Sequence, residues 1–159
     1  MAKVKTTGLT ETMKMFEQLT VATDDIVKEV VKEGSAVTTD TMRAEIKALK
    51  TSDKYAPKKG KRYAMPDDVK GLLDSLGYTP VDEKGTIFNA NVGFDGYNSH
   101  KTKKYPNGHS NRMIANAINK GTSFMYEQPF INRTKKKAQD KCVATMQKEL
   151  DKAIEKIAK

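Results

Sequence analysis

Asn111 to Lys137 reads NRMIANAINKGTSFMYEQPFINRTKKK, and within that one span lie a helix end, a turn and a helix start. Met113, Ile114, Ala117 and Ile118 recur at helical spacing. Gly121 follows, the residue type that most easily takes a left-handed cap conformation, and Pro129 then forbids easy continuation. Between them stand Phe124, Met125 and Tyr126, and Phe130 and Ile131 come directly after, more apolar area than a solvated loop carries. The spacing predicts a buried corner that either anchors the core or meets another subunit. Its candidate contact residues are Gly121, Thr122, Ser123, Phe124, Pro129 and Phe130.

On the C-terminal side, a helix from about Ile131 to Ala158 sets Ala138, Cys142, Met146, Leu150, Ala153, Ile154 and Ile157 along one stripe. On the N-terminal side, Thr10 caps a first short helix with Leu9, Met13, Phe16 and Leu19 on one face, and Asp24-Asp25 restarts the chain as a long helix to about Lys50. That helix carries two adjoining stripes, Ile26, Val30, Gly34, Val37, Thr41 and Ala44 on one and Val27, Val31, Met42, Ile46 and Leu49 on the other. Gly34 costs about 1 kcal/mol relative to alanine in a helix interior, so it predicts a close crossing by another element.

Between the helices, Pro66-Asp67-Asp68 suits the first turn of a short helix through Leu72, Leu73 and Leu76, closed by Gly77. A short strand at Tyr78–Val81, with its proline at an edge, and a turn at Asp82–Gly85 lead into a second strand over Thr86–Phe94. Phe88, Ala90, Val92 and Phe94 alternate onto one face of it, which should be core. Residues 51–65 and 97–110 have no apolar period and read as long, exposed, flexible basic loops. The fold class is therefore α+β in a single domain over 1–159: a small antiparallel sheet packed by a long N-terminal helix and a C-terminal helix, with two extended basic loops. So thin a sheet could be completed by strands within the loops or by a neighbouring subunit.

A length of 159 residues suits one domain, and 37 % hydrophobic against 31 % charged residues makes its surface heavily ionised. No apolar run approaches the ~20 residues that cross a bilayer. The formal charge of +9 gathers in three clusters: Lys54, Lys58, Lys59, Lys61 and Arg62; Lys101, Lys103 and Lys104; Arg133, Lys135, Lys136 and Lys137. Such clusters are solvated charge, a contact with an acidic protein surface, or a phosphate contact. Lys58, Lys59 and Lys61 are the candidate partner contacts. Tyr55, Tyr63, Tyr97 and Tyr105 stand in or beside the basic loops, as on single-strand stacking platforms. Lysine greatly outnumbers arginine there, so a small sequence-independent DNA-binding module is the alternative reading, without base readout.

No catalytic, cofactor or metal site is predicted. His100 and His109 match no zinc spacing, and Cys142, the single cysteine, falls on the apolar stripe. Asp67-Asp68, Asp82-Glu83 and Asp95 occupy turns and caps, and no P-loop, dinucleotide fingerprint or G-x-S-x-G occurs.

The corner also resembles a known family. N-K-G-T-S at 119–123, then Q-P-F-I at 128–131 opening a charged C-terminal helix, is similar to the neck or tail-completion proteins of tailed bacteriophages. L-x-D-S-L at 72–76 followed by G-Y-T-P-V, V-G-F-D-G-Y-N at 92–98 and G-L-T-E-T-M-K-M-F-E-Q-L at 8–19 agree in order, although Lys120 stands where that family commonly has glutamate. The resemblance implies a non-enzymatic virion protein, made in the host bacterial cytoplasm and acting at the head–tail junction. It implies self-association into a ring, hexameric in that family, around the DNA channel. The partners would be connector or head-completion and tail-terminator proteins, with packaged DNA reachable through the basic loops.

Overall fold

The computed structural model describes residues 9–52, 60–99, 101 and 103–157, with side chains from Thr23 to Lys156 within those ranges. The elements in chain order are α1 (Leu9–Lys47), α2 (Pro66–Ser75), β1 (Leu76–Tyr78), β2 (Asp82–Lys84), β3 (Ile87–Asn89), β4 (Val92–Phe94), α3 (Asn111–Lys120) and α4 (Phe130–Ile157). The fold is α+β, with α1 packed along α4.

α1 is one continuous helix; the restart expected at Asp24-Asp25 does not occur. Thr20-Val21-Ala22-Thr23 lowers helix propensity but contains neither glycine nor proline, so nothing there forces a break. The helix stops at Lys47, short of Lys50. Its buried face also runs differently from the apolar stripes: Ala44 is exposed, whereas Ser35, Thr39 and Glu45 are buried. Ser35 and Thr39 tolerate this because their hydroxyls donate to the carbonyls of Val31 and Ser35, both at 2.8 Å, one turn back.

α1 and α4 run antiparallel: Glu45 meets Arg133 and Lys137 at one end, and Gly34 meets Cys142 and Met146 farther along. The close crossing expected at Gly34 is present. A Cβ there would lie 2.8 Å from Met146 Cγ and Sδ and 3.0 Å from Cys142 Sγ. Cys142 is half-buried rather than a core residue, and its thiol lies 3.4 Å from the Gly34 carbonyl. Ile154, assigned to the same stripe, is 54 % exposed.

The sheet is a single bent hairpin. β1 pairs antiparallel with β4, Tyr78 opposite Val92, and β2 with β3, Asp82 opposite Asn89. The residues from Thr79 to Val81 therefore face only Ala90 and Asn91, a bulge at Pro80, which has no N–H to give to the ladder. The turn is Gly85-Thr86, and Asp82–Lys84, expected in the turn, form β2 instead. Gly85 has φ +63° and no described non-glycine residue has positive φ, as in a type II′ hairpin. The hairpin tip is tied to α1 by Lys28, which pairs with Glu83 at 2.8 Å and sits 6.0 Å from the Phe88 ring.

The core joins Met42 and Ile46 of α1, and Leu49 just past its end, to Leu72, Leu76, Ile114, Ala115, Ile118, Met125 and Phe130, with Ala64 from the segment before α2. Phe94 meets Phe130 edge-on at 6.2 Å. Leu replacing Gly34 overpacks the α1–α4 crossing and should destabilise by about 1–3 kcal/mol in thermal or urea unfolding. Adding Met146→Ala to that chain should recover part of the loss, because the crowding atoms are those of Met146.

Candidate functional site

The corner between α3 and α4 is built from the backbone outward. Gly121 ends α3 with φ 69° and ψ 170°, so it is not the left-handed cap anticipated from the sequence. Positive φ still requires glycine, and a Cβ would lie 3.0 Å from Glu127 N. The chain then turns through Thr122 and Met125, whose N–H groups donate to each other's carbonyls at 3.0 and 3.4 Å. Beyond the turn it runs extended beside the segment preceding α2: Arg62 N donates to Phe124 O at 3.0 Å and Tyr126 N to Arg62 O at 2.9 Å. That segment is held from its other side by Ser52, whose N–H donates to Ala64 O and whose hydroxyl accepts from Tyr63 N, both at 3.0 Å.

The two described legs of the 51–65 loop are therefore braced, with bridges Thr51–Ala64 and Arg62–Met125. In extended chain, alternate side chains point to opposite faces. Met125 and Ala64 turn inward and are buried, while Phe124 is 51 % exposed and Tyr126 45 % exposed. This corrects the expectation that the whole corner is buried. Tyr63 packs on Tyr126 at 4.9 Å between ring centroids, with Lys50 Nζ 5.8 Å from the Tyr63 ring and Lys61 exposed nearby in the chain. An aromatic surface bordered by cations results.

The second half of the corner is framework. Phe130, expected among the contact residues, is 0 % exposed, so it anchors the core and presents no surface to a partner. Gln128 is buried; its Oε1 accepts from Lys50 N at 2.8 Å and its Nε2 donates to Lys50 O at 3.0 Å. Asn119 Oδ1 accepts from Ile131 N at 2.9 Å, covering one of the N–H groups that the start of α4 leaves open. Of the residues named from the sequence, Thr122 and Pro129 are half-buried and Ser123, Phe124 and Lys61 exposed, whereas Lys58 and Lys59 lie outside the described residues. Tyr63, Tyr126 and Lys50 join the surface although the corner reading did not pick them as contacts. Only the alternation through Phe124-Met125-Tyr126 could have pointed to Tyr126.

The other basic clusters divide. Arg133 Nε and Lys137 Nζ reach the two oxygens of Glu45 at 2.7 and 2.6 Å, so these cations are committed to the fold, while Lys135 and Lys136 are exposed. Hydrogen bonds from Lys137 and then Arg133 hold the Glu45 carboxyl below the ordinary glutamate value of 4.5, against the opposing effect of burial. In the 97–110 loop, Lys101, Lys103 and Lys104 are exposed, and Lys104 lies 5.6 Å from the ring of Tyr105, itself 4.3 Å from the His109 ring. The loop base is closed, unlike the wholly exposed loop expected. Asn98 N donates to His109 O and His109 N to Asn98 Oδ1, both at 2.9 Å, and Asn98 Nδ2 donates to the buried Asp68 at 3.2 Å.

Among the described residues no group of three or more His, Cys, Asp or Glu could hold a metal ion, and no helix is long and apolar enough to cross a membrane. The chain matches no family model, no curated protein and no solved structure.

Phe130→Ala should cost about 3–5 kcal/mol in unfolding free energy, since it empties a fully enclosed site. Glu45 binds protons more weakly folded than unfolded, so its contribution is complete above 4.5 and is lost as pH falls through the lowered folded value. Unfolding free energy measured against pH should fall less steeply below that point in Glu45→Gln than in the unaltered chain.

Proposed function

We propose that this protein is a structural component of the head–tail junction of a tailed bacteriophage, acting as copies arranged in a ring and docking on neighbouring proteins through its α3–α4 corner. The supporting observation is the division of labour within that corner. Gln128 and Phe130, from the Q-P-F-I segment that carries the resemblance to neck and tail-completion proteins, are buried framework, while Phe124 and Tyr126 between G-T-S and Q-P-F-I are exposed on a braced backbone. Exposed aromatics on a rigid support suit a protein interface, because two-torsion side chains lose little entropy on contact. The lysines at the border favour an acidic partner surface.

Phe124→Ala with Tyr126→Ala removes exposed rings only, so unfolding free energy should stay within about 0.5 kcal/mol of the original. Incorporation of the double variant into assembled particles, read by negative-stain imaging and subunit composition, should be lost. Normal incorporation overturns the reading. In a mobility-shift titration at physiological salt, duplex DNA binding should be micromolar or weaker; sub-micromolar binding would make the protein a DNA-binding module instead.

A further inference from the structure

The 97–110 loop and the start of α3 carry charge and an aromatic ring that the corner surface does not use. From Gly96 to Tyr126 the sequence contains no Asp or Glu, and its cations are Lys101, Lys103, Lys104, Arg112 and Lys120. All of them are exposed, and among the described residues none enters a salt bridge. The two carboxylates that border the stretch are engaged: Asp95 Oδ1 accepts from Gly96 N at 2.7 Å, and Asp68 is buried against Asn98. Cations gathered without carboxylates repel one another, and a polyanion relieves that repulsion while releasing its own counterions.

The ring is that of Tyr97. Gly96 O accepts from Asn111 N at 3.1 Å and Asn98 N donates to His109 O at 2.9 Å, so the residue between them, bridged to Ser110, is fixed on both sides. Successive side chains of extended backbone point opposite ways. Asn98 turns inward to Asp68, and Tyr97 therefore points out, 63 % exposed. Tyr105, by contrast, lies against the His109 ring and braces the loop. Arg112 opens α3 two residues past Ser110, the bridge partner of Tyr97, whereas Lys120 stands at the far end of that helix.

Charge alone fits a duplex, a single strand or an acidic protein. The ring decides among them: base faces inside a duplex are already stacked and hidden, whereas an unpaired base offers its π-face to an exposed tyrosine. We infer that the 97–110 loop with Arg112 binds single-stranded nucleic acid without sequence preference, Tyr97 stacking on a base and Lys101, Lys103, Lys104 and Arg112 lying along the phosphates. This surface is separate from the Phe124 and Tyr126 pair, and the inference does not rest on the head–tail reading.

Fluorescence anisotropy with labelled oligo(dT) of ~20 nucleotides and with a duplex of the same length separates the outcomes. Oligo(dT) should bind about tenfold more tightly than the duplex. Its log affinity should fall against log salt with a slope of about −3, the value for four phosphate contacts to a single strand. Tyr97→Ala should weaken oligo(dT) binding about tenfold while leaving that slope and the duplex affinity unchanged. Lys103→Gln with Lys104→Gln should roughly halve the slope. All three positions are exposed, so the fold is spared, and the chain carrying Phe124→Ala and Tyr126→Ala should bind oligo(dT) as the unaltered one does. No binding of oligo(dT) at about 50 mM salt overturns the inference, as does a duplex bound equally well or an unmoved affinity in Tyr97→Ala. Polyglutamate competing as well as oligo(dT) overturns it in favour of an acidic protein partner.

Discussion

The side-chain amide of Gln128 does for the end of α1 what a strand neighbour would do, accepting from the N–H of Lys50 and donating to its C=O across 78 residues of sequence. Its own N–H donates to Ile118 O at 2.9 Å, so one residue joins the exit of α1, the last turns of α3 and the entry to α4. A buried backbone group left unpaired costs about 1–3 kcal/mol, so the exit of α1 is held by chemistry and not by packing alone. With that point held, Phe130, two residues on, enters the core, and Asn119 secures the first turn of α4. The aromatic surface at Phe124 and Tyr126 is rigid because it is suspended between this staple and the bend at Gly121.

The α1–α4 pair is matched by different physics along its length. Near the staple it is electrostatic: Glu45, 6 % exposed, is satisfied by two cations from successive turns of α4. A buried carboxylate is tolerable only with such partners, and losing either leaves a costly charge. At Gly34 the pair is steric, because the missing side chain lets Met146 and Cys142 lie against the α1 backbone. Of the third basic cluster, Arg133 and Lys137 are committed to Glu45, which leaves Lys135 and Lys136 as its cations without that tie.

The basic loops are likewise anchored where they meet the core. Asn98 bonds both backbone and Asp68, and Gly108 has φ +91° with a would-be Cβ only 2.1 Å from Asn98 O, so no larger residue fits there without movement of the backbone. The lysines of this loop are presented from a closed base. The 60–64 leg of the other loop is presented from paired extended chain.

Periodicity by itself determined the helices of the C-terminal half, the short helix opened by Pro66, the hairpin with its Val92 and Phe94 face, the crossing at Gly34 and the anchoring of Phe130. These are legible because burial in helices and strands repeats at fixed intervals and because glycine and proline restrict the backbone locally. What the tertiary structure decided are pairings between distant segments. Asp24-Asp25 looked like a helix start, but a carboxylate pair can equally ride on a continuing helix when no residue breaks it. Glu45 is charged and belongs to neither apolar stripe, yet it is buried because α4 supplies its two partners. Phe124 and Tyr126 look like core from composition; only the backbone pairing with Arg62 sets the alternation that puts Met125 inside and the two rings outside. A side chain's partner 78 or 88 residues away leaves no periodic trace in the chain, because the forces that select it act across space and not along the sequence.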